Sequence, residues 1–290
     1  PVVRGNIIFH FASKDHQSTV ATANAIGYVS PELHRDIIER EDLEDDFREF
    51  SGKIDEITTV KHIILNKGVE AADGAQAEKR LNAVAKKIGI EALLQRNIRS
   101  LSTGEMNTAL IAKALIKRPK LLILDEPFDG LDEPSRNTLA KIINDLMGGS
   151  MQVILITHRF AEIVPNITHV LLLKYGKIFK SGKKEDVFTD ANINRVYEID
   201  NRPLQNYLQK IGRTNSADEK KGAPSAKILI EMKNVTVKYG SRQILDNFNW
   251  RVKQGENWIL AGPKGAGKST VLTLILGDNL QAYANEIYLF

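Results

Sequence analysis

One run of residues, Gly262-Pro263-Lys264-Gly265-Ala266-Gly267-Lys268-Ser269 with Thr270 after it, has the types and spacing to hold a chain of phosphates. It fits G-x-x-x-x-G-K-[ST]. Glycines let successive backbone N–H groups converge on phosphate oxygens, and the start of a following helix adds the positive end of its dipole. Lys268 is placed to reach the β- and γ-phosphates, and Ser269 to ligate Mg²⁺. The run speaks for a nucleotide without separating ATP from GTP. Elsewhere, Asp125-Glu126-Pro127 puts two carboxylates after the apolar run Leu121–Leu124. Asp125 suits Mg²⁺, directly or through water; Glu126 suits orienting and deprotonating an attacking water. His158 follows a second apolar run, where it could touch a γ-phosphate and sense its presence. Leu101-Ser102-Thr103-Gly104-Glu105 reads two ways at once: Ser102 and Glu105 form a capping box, and a capped helix start with a glycine is an anion site. Tyr239, at the end of a strand-like segment, suits stacking on adenine; without the phosphate loop it would read as a half-buried strand-end tyrosine.

Carboxylates at the tip of a buried strand lie at the carboxyl edge of a parallel sheet, where α/β proteins place ligands. The elements needed for this are legible. From Ile26 to about Lys183 the pattern is α/β. Ile26–Val29, Lys120–Leu124 and Gln152–Ile156 read as strands, the last two fully buried. Helices are predicted over Gln76–Lys87, from the Ser102 cap to Lys117 with Pro119 as a stop, over Pro134–Met147 and over Asn192–Leu208. The acidic stretch Asp36–Glu56 has few apolar residues. His169–Lys174 and Lys177–Lys180 read as a hairpin around Gly176. Arg213–Ala226 has linker composition. Two alternating strands follow, Lys227–Val237 and Ile244–Val252, and then Trp258–Ala261 runs straight into the phosphate loop.

Composition sets outer bounds. The 290 residues are 42% hydrophobic and 26% charged, ordinary globular values. A net charge of +4 is too small to argue for nucleic acid or an anionic membrane. The absence of cysteine excludes a disulfide scaffold, a thiolate zinc site and a cysteine nucleophile, and fits a cytosolic protein. No run approaches the roughly 18 apolar residues of a membrane span.

The set of motifs resembles an ABC-type ATPase. Leu101–Glu105 is similar to the ABC signature, Asp125 and Glu126 to the Walker B pair, and Phe128-Asp129-Gly130-Leu131-Asp132 to the D-loop. His158 resembles the switch histidine, Gly262–Thr270 the Walker A loop, and Tyr239 the adenine-stacking aromatic. The resemblance implies an α/β P-loop NTPase fold, with ATP and Mg²⁺ as cofactors. Some positions depart from the family pattern. Thr103 and Glu105 stand where Gly and Gln are commonest, and Lys264 where Asn is usual. Gly27–Glu32 resembles the Q-loop region without its glutamine, and Glu32 is the nearest candidate.

The order of the motifs is wrong for one cassette, because the Walker A loop follows the signature. Asn6–Phe11 also resembles Asn285–Phe290, a weak internal repeat. The expectation is a tandem protein: residues 1–200 as the later part of a first cassette, 201–226 as a linker, and 227–290 as the start of a second. The alternative is a circularly permuted single cassette. In the tandem reading, family logic puts Lys268 with Ser102 and Gly104 in one composite ATP site, and Asp125, Glu126 and His158 in the other. The missing halves of both cassettes are then partners, and the chain alone binds ATP weakly and hydrolyses it negligibly. The wording around these motifs resembles the ModF group of twin-cassette proteins, associated with molybdate transport or photorepair. That implies a cytoplasmic ATPase, peripheral on the inner face of the plasma membrane if it energises a separate permease. The competing class is a conformational switch on nucleic acid or the ribosome, which the short linker disfavours.

Overall fold

The computed structural model describes residues 2–9, 25–51, 57–149, 151–197, 227–239 and 241–276. The segment 201–226, expected to be a linker, the segment 277–290 and His10–Phe11 lie outside them. The chain divides into two compact units. One comprises Asn24–Ile143; the other joins Pro1–Ala23 to Asn144–Phe290.

In the unit Asn24–Ile143, β2 (Ile26–Val29) and β3 (Leu121–Asp125) pair in parallel, with Val29 opposite Leu124. Every residue of β3 is buried. An apolar run this short, bounded by Pro119 and Pro127, favours a core strand over a helix. Three helices accompany the pair. Pro31–Ser51 is helical and takes in the acidic stretch as far as Ser51. Val60–Ile88 is longer than the helix the sequence suggests, starting at a Thr59–His62 capping box and ending on Gly89 in the left-handed conformation. Thr103–Leu115 packs on Val60–Ile88 and on β2. Leu110, Ile111 and Leu121–Leu124 are fully buried, and Phe128 seals the turn after β3. The helix Glu133–Gly148 follows that turn.

The other unit holds two sheets. β4 (Gln152–Thr157), β9 (Trp258–Ala261), β5 (His169–Lys174) and β6 (Lys177–Lys183) lie in that order. The first three are parallel, and β6 returns antiparallel to β5. β1 (Val2–Phe9), β7 (Ile228–Tyr239) and β8 (Arg242–Lys253) form an antiparallel sheet with β7 in the middle. The hairpin around Gly176 and the strands preceding the phosphate loop therefore form as the sequence suggests. Asp190–Tyr197 is helical; the rest of the helix predicted to Leu208 falls outside the described residues.

The position of β9 was not visible in the sequence. It lies between β4 and β5, and Asn257 at its head binds both neighbours. Val153 N–H donates to Asn257 Oδ1 at 2.9 Å, while Thr168 and His169 N–H both donate to Asn257 O at 3.0 Å. Trp258 stacks on His169 and meets Trp250 edge-to-face.

Candidate nucleotide site

The parallel register aligns the ends of β4 and β9, because Ala261 lies opposite Thr157, and β5 runs two residues past Leu172, its partner to Ala261. The residues that follow β4 and β9, His158 and Gly262, leave the sheet from one carboxyl edge. The helix Lys268–Leu276 starts within the loop motif, so its first N–H groups have no partner inside the helix. Gly265 and Gly267 have φ of +79° and +99°, in the region that glycine tolerates without strain. Gly262 has a different reason to be glycine: a Cβ there would lie 2.2 Å from the carbonyl oxygen of Leu173. The loop is thus packed against neighbouring backbone as well as curled.

Lys268 is buried, with its ammonium donating to the carbonyls of Gly262 at 3.0 Å and Pro263 at 3.2 Å. Ser269, Lys264 and Gly265 are exposed, Thr270 and Pro263 half-buried, and Ala266 buried. A buried ammonium, an accessible hydroxyl and a helix start around a left-handed loop fit a magnesium nucleotide. Lys268 and the loop N–H groups would hold the phosphates, and Ser269 the cation. Tyr239 is 46% exposed at the end of β7, opposite Arg242. Further along β8, Leu245 Cδ2 stands 2.9 Å from where a Gly267 Cβ would be. The Tyr239 end of the hairpin is therefore only a few residues from the loop.

His158 is half-buried, and Arg159 Nε donates to its Nε2 at 3.3 Å. The local fold around it depends on residues not singled out in the sequence. Arg159 N–H donates to Thr157 Oγ1 at 3.0 Å, and the Thr157 hydroxyl donates to the buried carboxylate of Glu162.

In the other unit, Asp125 ends β3 and is 6% exposed. Glu126 has φ of +45°, unusual for a residue with a Cβ and a form of strain that collects at functional positions. The turn is held from beneath: Asn107 Nδ2 donates to Pro127 O at 2.8 Å, and Asp129 N–H to Glu126 O at 3.1 Å. In the D-loop segment, Gly130 has φ of +75° and Leu131 is buried. Asp132 Oδ1 accepts from Ser135 N–H at 3.2 Å, and its bonds to Ser135 hold its carboxyl below the usual range.

The signature segment has the capping box its sequence suggests. Glu105 N–H donates to Ser102 Oγ at 3.3 Å, and Ser102 N–H to Glu105 Oε2 at 2.8 Å. Leu101 is half-buried and Thr103 exposed. A Cβ on Gly104 would lie 2.9 Å from Ser135 Cβ, so this glycine allows two helices to approach closely. Glu105 is held below its usual range, first by the Ser102 backbone N–H and also by the nearby Arg96. Arg99 pairs with Asp42 at 2.6 Å and Asp45 at 2.8 Å. No periodicity marks Arg96 or Arg99; only their position shortly before the signature could have drawn attention to them. Ser30 Oγ caps the helix Pro31–Ser51, and Glu32 in its first turn is exposed, 3.9 Å from Arg35. Ser30 and Asp125 follow paired residues of β2 and β3, which puts Glu32 two residues beyond that shared edge.

Comparison with known proteins agrees with this geometry. Residues 4–129 and 245–289 match the family described as ABC transporter. The chain is 35% identical to the ABC transporter ATP-binding protein ModF of Escherichia coli over 218 residues, 75% of this chain and 44% of that protein. It is 31% identical over 215 residues to an uncharacterized ABC transporter ATP-binding protein of Schizosaccharomyces pombe, covering 74% of this chain and 41% of that one. A third such protein, from Saccharomyces cerevisiae, is 27% identical over 230 residues, covering 71% and 41%. The chain spans less than half the length of these relatives. Among the described residues, no helix is long and apolar enough to cross a membrane. A phosphate loop, a capped signature segment and a strand-end carboxylate pair, together with the family match over more than half of the sequence, lead to one statement: the chain belongs to the ABC transporter family.

Proposed function

We propose that the chain binds ATP with Mg²⁺ and supplies residues for its hydrolysis in a twin-cassette ABC ATPase. The observation that carries this is the phosphate loop, with Lys268 buried against its carbonyls and the helix Lys268–Leu276 opening from it. In one composite site Lys268 and the loop N–H groups bind the phosphates and Ser269 holds the cation; in the other, Asp125 holds the cation. When bound, Mg²⁺ offsets negative charge on the phosphates. Glu126 orients and deprotonates the attacking water, with its strained backbone holding the carboxylate at the strand tip. His158 reads the γ-phosphate. Ser102 and Gly104 present the start of a helix to a phosphate, and Tyr239 stacks on the base.

The resemblance to the ModF group supports a transport role, with the ATPase energising a separate permease and molybdate as cargo. Titration of the purified chain with ATP tests the binding step: Mg-dependent binding is expected, and Lys268→Ala should abolish it. Equal binding by both chains would reject the assignment. For the transport role, the complete protein should co-purify with a permease whose presence raises ATP turnover. Co-purification with ribosomes or DNA instead would reject it.

The position of β9 between β4 and β5 favours a second reading, a single permuted cassette. Turnover separates the two. Robust hydrolysis by this chain, lost in Glu126→Gln, supports the permuted cassette; binding with negligible turnover supports the tandem protein.

A further inference from the structure

We propose that Gly176 is a positioning residue for the phosphate loop, coupling its backbone to β8 and thereby aiming one of its N–H groups at the bound phosphates. The inference rests on the nucleotide reading and deepens it. Lys174 and Lys177 pair across the β5–β6 hairpin, and the two residues between them, Tyr175 and Gly176, have φ of +50° and +73°. Positive φ at both central residues is the pattern of the tight hairpin turn whose twist matches its strands. Asn or Asp is usual at the first position. Tyrosine there is strained, so the turn is held by its surroundings.

Those surroundings are the loop and β8. Gly176 N–H donates to Ala266 O at 3.1 Å, and Asp246 N–H donates to Gly176 O at 3.1 Å. Lys177 Nζ lies 2.8 Å from Asp246 Oδ2. A Cβ on Gly176 would sit 1.9 Å from Ile244 O and 2.7 Å from its carbonyl carbon, so no other residue fits without withdrawing the turn. Ala266 is the residue between the two left-handed glycines of the loop. Its carbonyl and the N–H of Gly267 belong to one planar trans peptide and point in opposite directions. Holding Ala266 O toward Gly176 therefore turns Gly267 N–H the other way, into the loop. The loop lies close to its neighbours on this side: a Cβ on Gly262 would sit 2.2 Å from Leu173 O, and one on Gly267 2.9 Å from Leu245 Cδ2.

The test uses the full chain, wild type and Gly176→Ala, with ATP and inorganic tripolyphosphate as probes. Tripolyphosphate has no base or ribose and reports the loop alone. Losing the two turn bonds should weaken both probes roughly tenfold. In ligand-free protein, hydrogen exchange of the Gly265–Lys268 amides should rise while β4, β5 and β9 stay protected, a local signature that general destabilisation does not produce. A folded Gly176→Ala chain with wild-type affinity and loop exchange overturns the proposal. Should that variant not fold, Lys177→Ala with Asp246→Ala loosens the turn without a steric clash; weaker tripolyphosphate binding supports the proposal and unchanged binding overturns it. A wild-type chain that binds neither probe overturns the nucleotide reading and the assigned role with it. Ligand-free exchange then still shows separately whether Gly176 holds the loop.

Discussion

Arg96 Nη1 lies 2.8 Å from Glu105 Oε1, while Arg96 Nη2 donates to Ser100 O at 2.8 Å. A carboxylate in the segment that resembles the signature, where the proposed function places a phosphate, thus has a cation bound to it. The other carboxylate oxygen accepts from Ser102 N–H. Glu105 does two jobs at this helix start, completing the cap and engaging the arginine.

The first prediction concerns acid stability. The Glu105 pKa is lowered in the folded chain, first by the Ser102 N–H and also by Arg96. Its stabilising contribution is therefore complete above the ordinary Glu value and is lost as pH falls through the lowered folded value. Glu105→Gln keeps the capping box, since glutamine serves there too. Urea midpoints measured from neutral to acid pH should fall less steeply in the variant. Parallel curves would contradict the assignment.

Gly104 tests the close approach of two helices. Gly104→Ala places a methyl group 2.9 Å from Ser135 Cβ and should cost about 1–3 kcal/mol by overpacking. Ser135→Gly removes the obstructing atoms. Combined with Gly104→Ala, it should recover part of that loss, which a double-mutant cycle in urea would detect as coupling between the sites.

Lys268 holds the loop itself as well as the proposed nucleotide. Its ammonium bonds to the Gly262 and Pro263 carbonyls, so Lys268→Ala should lower stability by about 1–3 kcal/mol without any ligand. Denaturation of ligand-free protein measures this, and calorimetry with ATP measures the accompanying loss of binding.

The segment after β4 offers a fourth test. Thr157→Val removes the hydroxyl that gives a hydrogen bond to Glu162 and accepts one from Arg159 N–H. A loss of about 1–3 kcal/mol is expected, since a buried carboxylate loses a donor. Hydrogen exchange should rise locally over 158–162. An unchanged midpoint would show that the hydroxyl does not hold this turn.

The parts of the site that were legible in the sequence are contiguous in the chain. The phosphate loop carries its own glycines, and the signature its own cap three residues away, so local chemistry specified both. Buried strands such as β3 were plain from their apolar runs and flanking prolines. What was hidden depends on partners far apart in the chain. Nothing in Trp258–Ala261 indicates a place between β4 and β5, because any short apolar strand fits a parallel sheet. The Arg96–Glu105 pair follows no helical spacing, since the chain turns between them. Gly176 reads in the sequence as an ordinary hairpin glycine; its steric reason is Ile244 O, 1.9 Å from where a Cβ would be, on a strand distant in the chain.

The place of β9 also constrains how the chain reaches this structure. β4 and β5 do not pair with each other; each bonds to β9. Neighbouring strands are about 4.8 Å apart, so until β9 arrives the two leave a gap one strand wide. During synthesis, the strands on either side emerge well before residues 258–261. Their facing edges are exposed in that interval and can accept an equivalent strand from another copy. Closing the gap requires contacts between distant parts of the chain, which slows folding. The strand carrying the phosphate loop is thus a late arrival, and truncation before it would leave aggregation-prone edges on β4 and β5.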